Sequence, residues 1–285
     1  MKLLMVANMQ KKGRWSNKYM LPVLYAQIEN SLDLGWKPRQ IMLVTNFKFK
    51  WNGVKSIQAD LNKHCLTGSK MFGMKWVFNC GYVKETIWAH DLDCWQNDIF
   101  LEPKFADVGI CTYSNSSLNG GSVFWKPKSL DIIDEIIGIL ETGQRKEEPT
   151  LNEVLKRKSI KKRVTILNET YNVGCSGFVP RFLRAEKPIK VCHLNPYNRI
   201  AWETHRLDRN GVGLISISDR MEKILRKYFP FLAETISTEG EERSKYHRER
   251  AFERHKNLLD RMYQQQVPEQ VPEQVPVPVA PEEVE

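Results

Sequence analysis

No apolar run in the 285-residue chain approaches the ~20 residues a bilayer-spanning helix needs, and no amphipathic membrane segment is apparent, so no membrane partner is expected. A secretory leader is not expected either: the apolar stretch Met1–Ala7 is too short and reads better as a first β-strand. The six cysteines, Cys65, Cys80, Cys94, Cys111, Cys175 and Cys192, include no C-x-x-C pair. That spacing disfavours a zinc ribbon or a disulfide framework and fits free thiols in a reducing cytoplasm. A second D-x-D or an H-x-D cluster is also missing, although a two-metal nuclease usually gathers more carboxylates than one such pair.

What is present is globular. Hydrophobic residues make up 41% and aromatics 10%, enough to bury a core. The net charge is +9, unevenly spread: the last nineteen residues carry five Glu and no Lys or Arg, so the rest is five charges more positive. Such a surface suits a polyanionic partner through steering and counterion release; simple solubility explains it equally well.

Short β-rich runs alternate with helical patterns from residue 1 to 235, the signature of an α/β domain with a Rossmann-like mixed sheet flanked by helices. Expected strands are 3–7, 40–45, 86–90, 108–111, 123–125, 164–167 and 190–193. Expected helices are 22–34, closed by Gly35, then 57–65, 130–141, 151–158 and 221–228. Residues 236–266 read as a charged C-terminal helix. Residues 267–285 repeat V-P-E-Q, and proline at every fourth position forbids both helix and sheet, giving an acidic tail without regular structure.

Residues 86–94, Thr-Ile-Trp-Ala-His-Asp-Leu-Asp-Cys, carry the most chemistry. A buried-strand pattern ends in Asp91 and Asp93, and ligands of open α/β sheets sit at the carboxyl ends of strands. Two carboxylates at this spacing suit a hard divalent cation that also bridges phosphates, whereas a plain turn needs no such role. Further on, Asn119-Gly120-Gly121 precedes a strand and permits close approach of backbone to a ligand. Glu147 and Glu148 open a helix, where the dipole alone would favour them. Tyr171-Asn172 follows a strand, and His193 ends another, where it is either a third ligand or an ordinary core histidine.

Taken in order, these segments resemble metal-dependent nucleotide-sugar glycosyltransferases of the type-A fold, most of all the glycogenin-like retaining families, over roughly residues 1–205. The resemblance implies that Asp91, Asp93 and His193 hold Mn²⁺ or Mg²⁺, and that Asp91 and Asp93 meet a nucleoside-diphosphate sugar, with a UDP-sugar favoured. It implies that Asn119, Gly120 and Gly121 line the sugar. Glu147 stands where the family has Asp and Glu148 where it has Gln, which makes both candidate catalytic carboxylates and leaves the stereochemical outcome open. The family's glycine and lysine after the histidine are not evident, and Arg199 is the candidate diphosphate contact in their place.

Lys156, Arg157, Lys158, Lys161, Lys162 and Arg163 put six basic side chains in eight residues, and residues 46–51 interleave lysines with Phe47, Phe49 and Trp51. Basic groups beside stacking rings suit nucleic acid; a solvated loop and a core strand with snorkelling lysines are the plainer readings. With DNA as acceptor, a hydroxymethylated base flipped from the stack would receive the sugar, as in phage DNA-base glycosyltransferases, and the compartment would be the host cytoplasm. Glycan or protein acceptors remain open. So do a metal-dependent nuclease or phosphodiesterase and a non-catalytic nucleic-acid binder.

Overall fold

The structure, a computed structural model, describes residues 1–10, 17–61, 68–112, 117–143, 146–174, 181–182, 184–194 and 218–229. The chain divides into two compact units, Met1–Thr235 and Ile236–Glu285, and all described residues belong to the first. The expected helix 236–266, the V-P-E-Q tail and Arg199 lie outside the described residues.

Eight strands form the main sheet: β1 (Lys2–Ala7), β2 (Ile41–Thr45), β3 (Lys50–Trp51), β4 (Val54–Gln58), β5 (Ile87–His90), β7 (Val108–Thr112), β8 (Leu118–Trp125) and β9 (Val164–Ile166). Their order is β3-β4-β2-β1-β5-β8-β7-β9. The block β4-β2-β1-β5 is parallel, while β8 runs antiparallel to both β5 and β7. A small second sheet, β10-β11-β6, joins β6 (Cys94–Gln96), β10 (Val173–Gly174) and β11 (Val191–His193).

Strand alternation splits the core into two layers. Leu3, Met5, Ala7, Trp88 and Phe124 face one cluster, together with Leu24 and Ile28 of α1 (Asn17–Asp33) and with Met221, Ile224 and Leu225 of α6 (Asp219–Tyr228). Leu4, Ile87, Ala89, Val123 and Trp125 face the other. There they meet α2 (Ser69–Asn79), α3 (Leu130–Glu141) and α4 (Glu147–Leu155). A short α5 (Lys158–Lys161) leads into β9. The Asn52-Gly53 turn joining β3 to β4 has φ of 44° and 79°, the left-handed pair that tight hairpins demand.

Three expectations need correction. Asn119-Gly120-Gly121 does not precede a strand but lies inside β8, which begins at Leu118. The expected helix 57–65 does not begin at Ile57: Ile57 and Gln58 end β4, whose register pairs them with Val44 and Thr45, residues 59–61 are not helical, and residues 62–65 lie outside the described residues. Helix α1 begins five residues before Pro22, so the proline interrupts the helix instead of opening it and forfeits one backbone bond. Burial of Leu24, Ala26 and Ile28 holds the helix regardless.

Candidate active site

The carboxyl ends of β1 and β5 open onto a cleft of about 550 Å³ lined by Asn8, Lys70, His90, Asp91, Asp93, Asn119, Gly120, Gly121, Glu147, Glu148 and His193, among others. Segments as far apart in sequence as Asn8 and His193 meet here. Every candidate catalytic, donor and metal residue among the described ones contributes to this single wall.

Asp91–Asp93 links β5 to β6, carrying the chain from the large sheet to the small one. Its backbone is fixed on several sides. Asp91 N–H donates to the Gly121 carbonyl (2.8 Å), and Leu194 N–H donates to the Asp93 carbonyl (2.8 Å). From α1, the buried Gln27 amide donates to the carbonyls of Leu92 and Cys94, both at 2.9 Å. Rigid backbone sets the direction of both carboxylates.

The two carboxylates have different partners. Asp93 Oδ1 lies 3.2 Å from His193 Nε2. Asp91 Oδ1 lies 2.6 Å from Lys70 Nζ. A carboxylate oxygen of Asp93, the Cys94 sulfur and a ring nitrogen of His193 all fall within 4.8 Å of one another; Asp91 is not part of that group. Cys94 and His193 are directly opposed in the antiparallel pair β6·β11. Gly121 makes room for them: a Cβ there would sit 2.5 Å from the imidazole and 2.9 Å from the Cys94 sulfur. Glycine at this position thus serves close approach, not turning.

Sequence reasoning missed Lys70. It stands in the first turn of α2, 7% exposed, and donates to Asp91 Oδ1 (2.6 Å), the Gly120 carbonyl (2.6 Å) and Glu147 Oε1 (3.0 Å). Burial alone would push its ammonium down, but the charges of Asp91 and then Glu147 outweigh that and hold it protonated. Glu147 is pushed up to about 7: burial dominates, Lys70 opposes, and the Asp91 charge adds to the rise. One lysine shared between two acids leaves the more buried acid under-compensated. A lysine heading the apolar run Met71–Met74 was the available signal.

Next to Asp93 in the chain, burial pushes the Cys94 thiol up to about 11, which keeps it neutral. Burial would lower His193; the neighbouring Cys94 and Asp93 reverse this and raise it well above the ordinary range. With the thiol neutral, Asp93 is the charge that holds the imidazolium. His90 is lowered to about 4 by burial, and its Nδ1 bonds the Asp91 carbonyl at 2.8 Å, so it stays a neutral prop.

Glu147 and Glu148 open α4, whose position over β8 is fixed by Asn152. Its amide exchanges two bonds with the Leu118 backbone, at 2.7 and 2.9 Å. Asn119 is fully buried in the cleft wall; its Oδ1 accepts from Gly121 N–H, while its Nδ2 has no hydrogen-bond partner among the described residues. An orphan donor of this kind is costly unless a ligand satisfies it.

The basic stretch lies elsewhere. It follows the C-terminal end of α4, a helix of nine residues or about 13 Å from the cleft. Arg157 pairs with Glu135 and Glu153, and Arg163 with Asp107 and Asp131, so neither is the unengaged phosphate contact expected of it. The rings of residues 47–51 are likewise occupied: Phe47, Phe49 and Trp51 pack on the core, with Phe49 and Trp51 5.6 and 5.3 Å from Tyr25. The rings pack as the plainer reading expected, but the segment is not a core strand: residues 46–49 are irregular and only Lys50–Trp51 form β3, at the edge of the sheet.

No protein-family model matches the chain, and no curated protein sequence does. Solved structures do. The chain is similar to the galactosyltransferase LgtC in complex with donor and acceptor sugar analogs, at 11% identity and a TM-score of 0.50, over 84% of this chain and 98% of that one. It is also similar to an active-site mutant of LgtC, at 12% identity and a TM-score of 0.52, with the same coverage. The architecture is the glycosyltransferase type-A fold.

Proposed function

We propose that the protein is a glycosyltransferase that moves a sugar from a nucleoside diphosphate, UDP-sugars first among the candidates, to a hydroxyl acceptor with the help of a divalent cation. One observation carries this reading: the acid pair, the Asn119–Gly121 segment, the Glu147–Glu148 pair and His193 share one cleft. LgtC, solved with donor and acceptor sugar analogs, has the same fold.

The donor set fits a cation. Asp93 and His193 would hold Mn²⁺ or Mg²⁺, with Asp91 beside them, and the ion would neutralise charge growing on the leaving diphosphate. Asn119 offers its unused N–H to a sugar hydroxyl or phosphate oxygen. Glu147, anchored by Lys70, would shape the floor, and Glu148, the more exposed of the two, would be the carboxylate that acts as base or nucleophile. A hydroxymethylated DNA base remains the acceptor suggested by the basic stretch. Lys158, Lys161 and Lys162 are its candidate contacts, since both arginines are engaged.

The test is incubation with Mn²⁺ or Mg²⁺ and a panel of UDP- and GDP-sugars. Release of nucleoside diphosphate that is lost in Asp93→Asn supports transfer, and cleavage of added DNA without such release supports a nuclease instead. Mass analysis of hydroxymethylated DNA from the same reactions decides the acceptor.

A further inference from the structure

We infer that Cys94 is a sulfur ligand of the cation site, beside Asp93 and His193, and that the site therefore prefers a borderline ion such as Zn²⁺ or Co²⁺ to Mg²⁺. This rests on the cation site of the proposed function and not on sugar transfer itself.

Three observations converge. Register places Cys94 directly across from His193, so both side chains project from the same face of the small sheet. One oxygen of Asp93, the Cys94 sulfur and one ring nitrogen of His193 lie within 4.8 Å of one another. The absent side chain of Gly121 is what lets the ring and the sulfur come together at this point, since a Cβ there would be 2.5 and 2.9 Å from them. Ligand atoms around a tetrahedral ion at ordinary bond lengths sit roughly 3.5 Å apart, so the group needs to close by about 1 Å at its widest. A carboxylate, an imidazole and a thiolate with one open position are the donors of a catalytic zinc-type site, whereas Mg²⁺ favours oxygen alone. As the bonds form, the thiol proton and the imidazolium proton pass to solvent, leaving thiolate and neutral imidazole on the ion.

The full-length chain, freed of metal by chelation, is titrated with Co²⁺ alone. A near-ultraviolet sulfur-to-cobalt absorption band is expected, and competition should rank Zn²⁺ above Mn²⁺ and Mg²⁺. Cys94→Ser should abolish the band and weaken Zn²⁺ by at least the about 10- to 100-fold that loss of a mere supporting partner costs. Replacement of the exposed Cys80 by Ser should change neither. Absence of the band from the unaltered protein overturns the inference, and this decides the matter even where Cys94→Ser fails to fold. A band that survives in folded Cys94→Ser overturns it equally. A band without nucleoside diphosphate release from any sugar nucleotide leaves the sulfur ligand standing and removes the transferase reading; release without the band does the reverse.

Discussion

Lys70 has three N–H donors and meets three acceptors, the Asp91 carboxylate, the Gly120 carbonyl and the Glu147 carboxylate. It thereby ties the start of α2 to the acid pair, to the Asn119–Gly121 segment and to the head of α4. Lys70→Met keeps much of the stem's volume and removes all three bonds. Asp91 is 40% exposed and can recover water, but Glu147 at 10% cannot. A loss of about 1–3 kcal/mol is expected, the cost of leaving one buried polar group unsatisfied. Urea denaturation should show the loss to be larger at pH 8 than at pH 5, where Glu147 takes up a proton and needs no cation. An equal loss at both pH values would mean that Lys70 acts through packing alone.

Among the elements, α2 shows how tightly one helix is set against the sheet. A Cβ on Gly73 would lie 2.7 Å from Val6 Cγ2 and 3.2 Å from Cγ1, so the helix axis lies as close to β1 as glycine permits. Gly73→Ala gains helix propensity but forces α2 away from the sheet, and overpacking of this kind costs about 1–3 kcal/mol. Because Lys70 is one turn earlier on the same helix, donor affinity should fall along with the denaturation midpoint; a fall in stability alone would show that α2 and the cleft are mechanically independent. The same helix marks the limit of what sequence could reveal. Helix α3 was readable to the residue because Ile132, Ile133, Ile136, Ile137 and Leu140 make a one-sided stripe. In α2, Met71, Met74, Val77 and Phe78 are buried, and Phe72 and Trp76 pack at the edges of the same core, so no stripe stands out. The acid pair and His193 were legible because each ends an apolar strand. Lys70 and Cys94 were not, since their roles come from sheet register and from the turn of a helix that had no periodic signature.

At the scale of the molecule, two acids pull stability in opposite directions with pH. Burial would raise Asp107, but Lys128 and Arg163 hold it below the ordinary carboxylate range. Its contribution is therefore complete above the unfolded value near 3.8 and fades as pH falls toward the folded one. Glu147 is raised from 4.5 to about 7, so the folded chain retains a proton that the unfolded chain has already released. Its contribution is complete below about 4.5 and is lost as pH rises through 7. Glu147→Gln carries no such linkage while preserving an oxygen acceptor toward Lys70. In thermal melts the variant should gain relative to the unaltered chain as pH rises from 4.5 to about 7 and the difference should level off by pH 8, whereas below 4.5 it should be constant. A pH-independent difference across the whole range would place the Glu147 carboxyl at its ordinary value. The shared-lysine account of the cleft floor, with Lys70 held mainly by Asp91, would then be wrong.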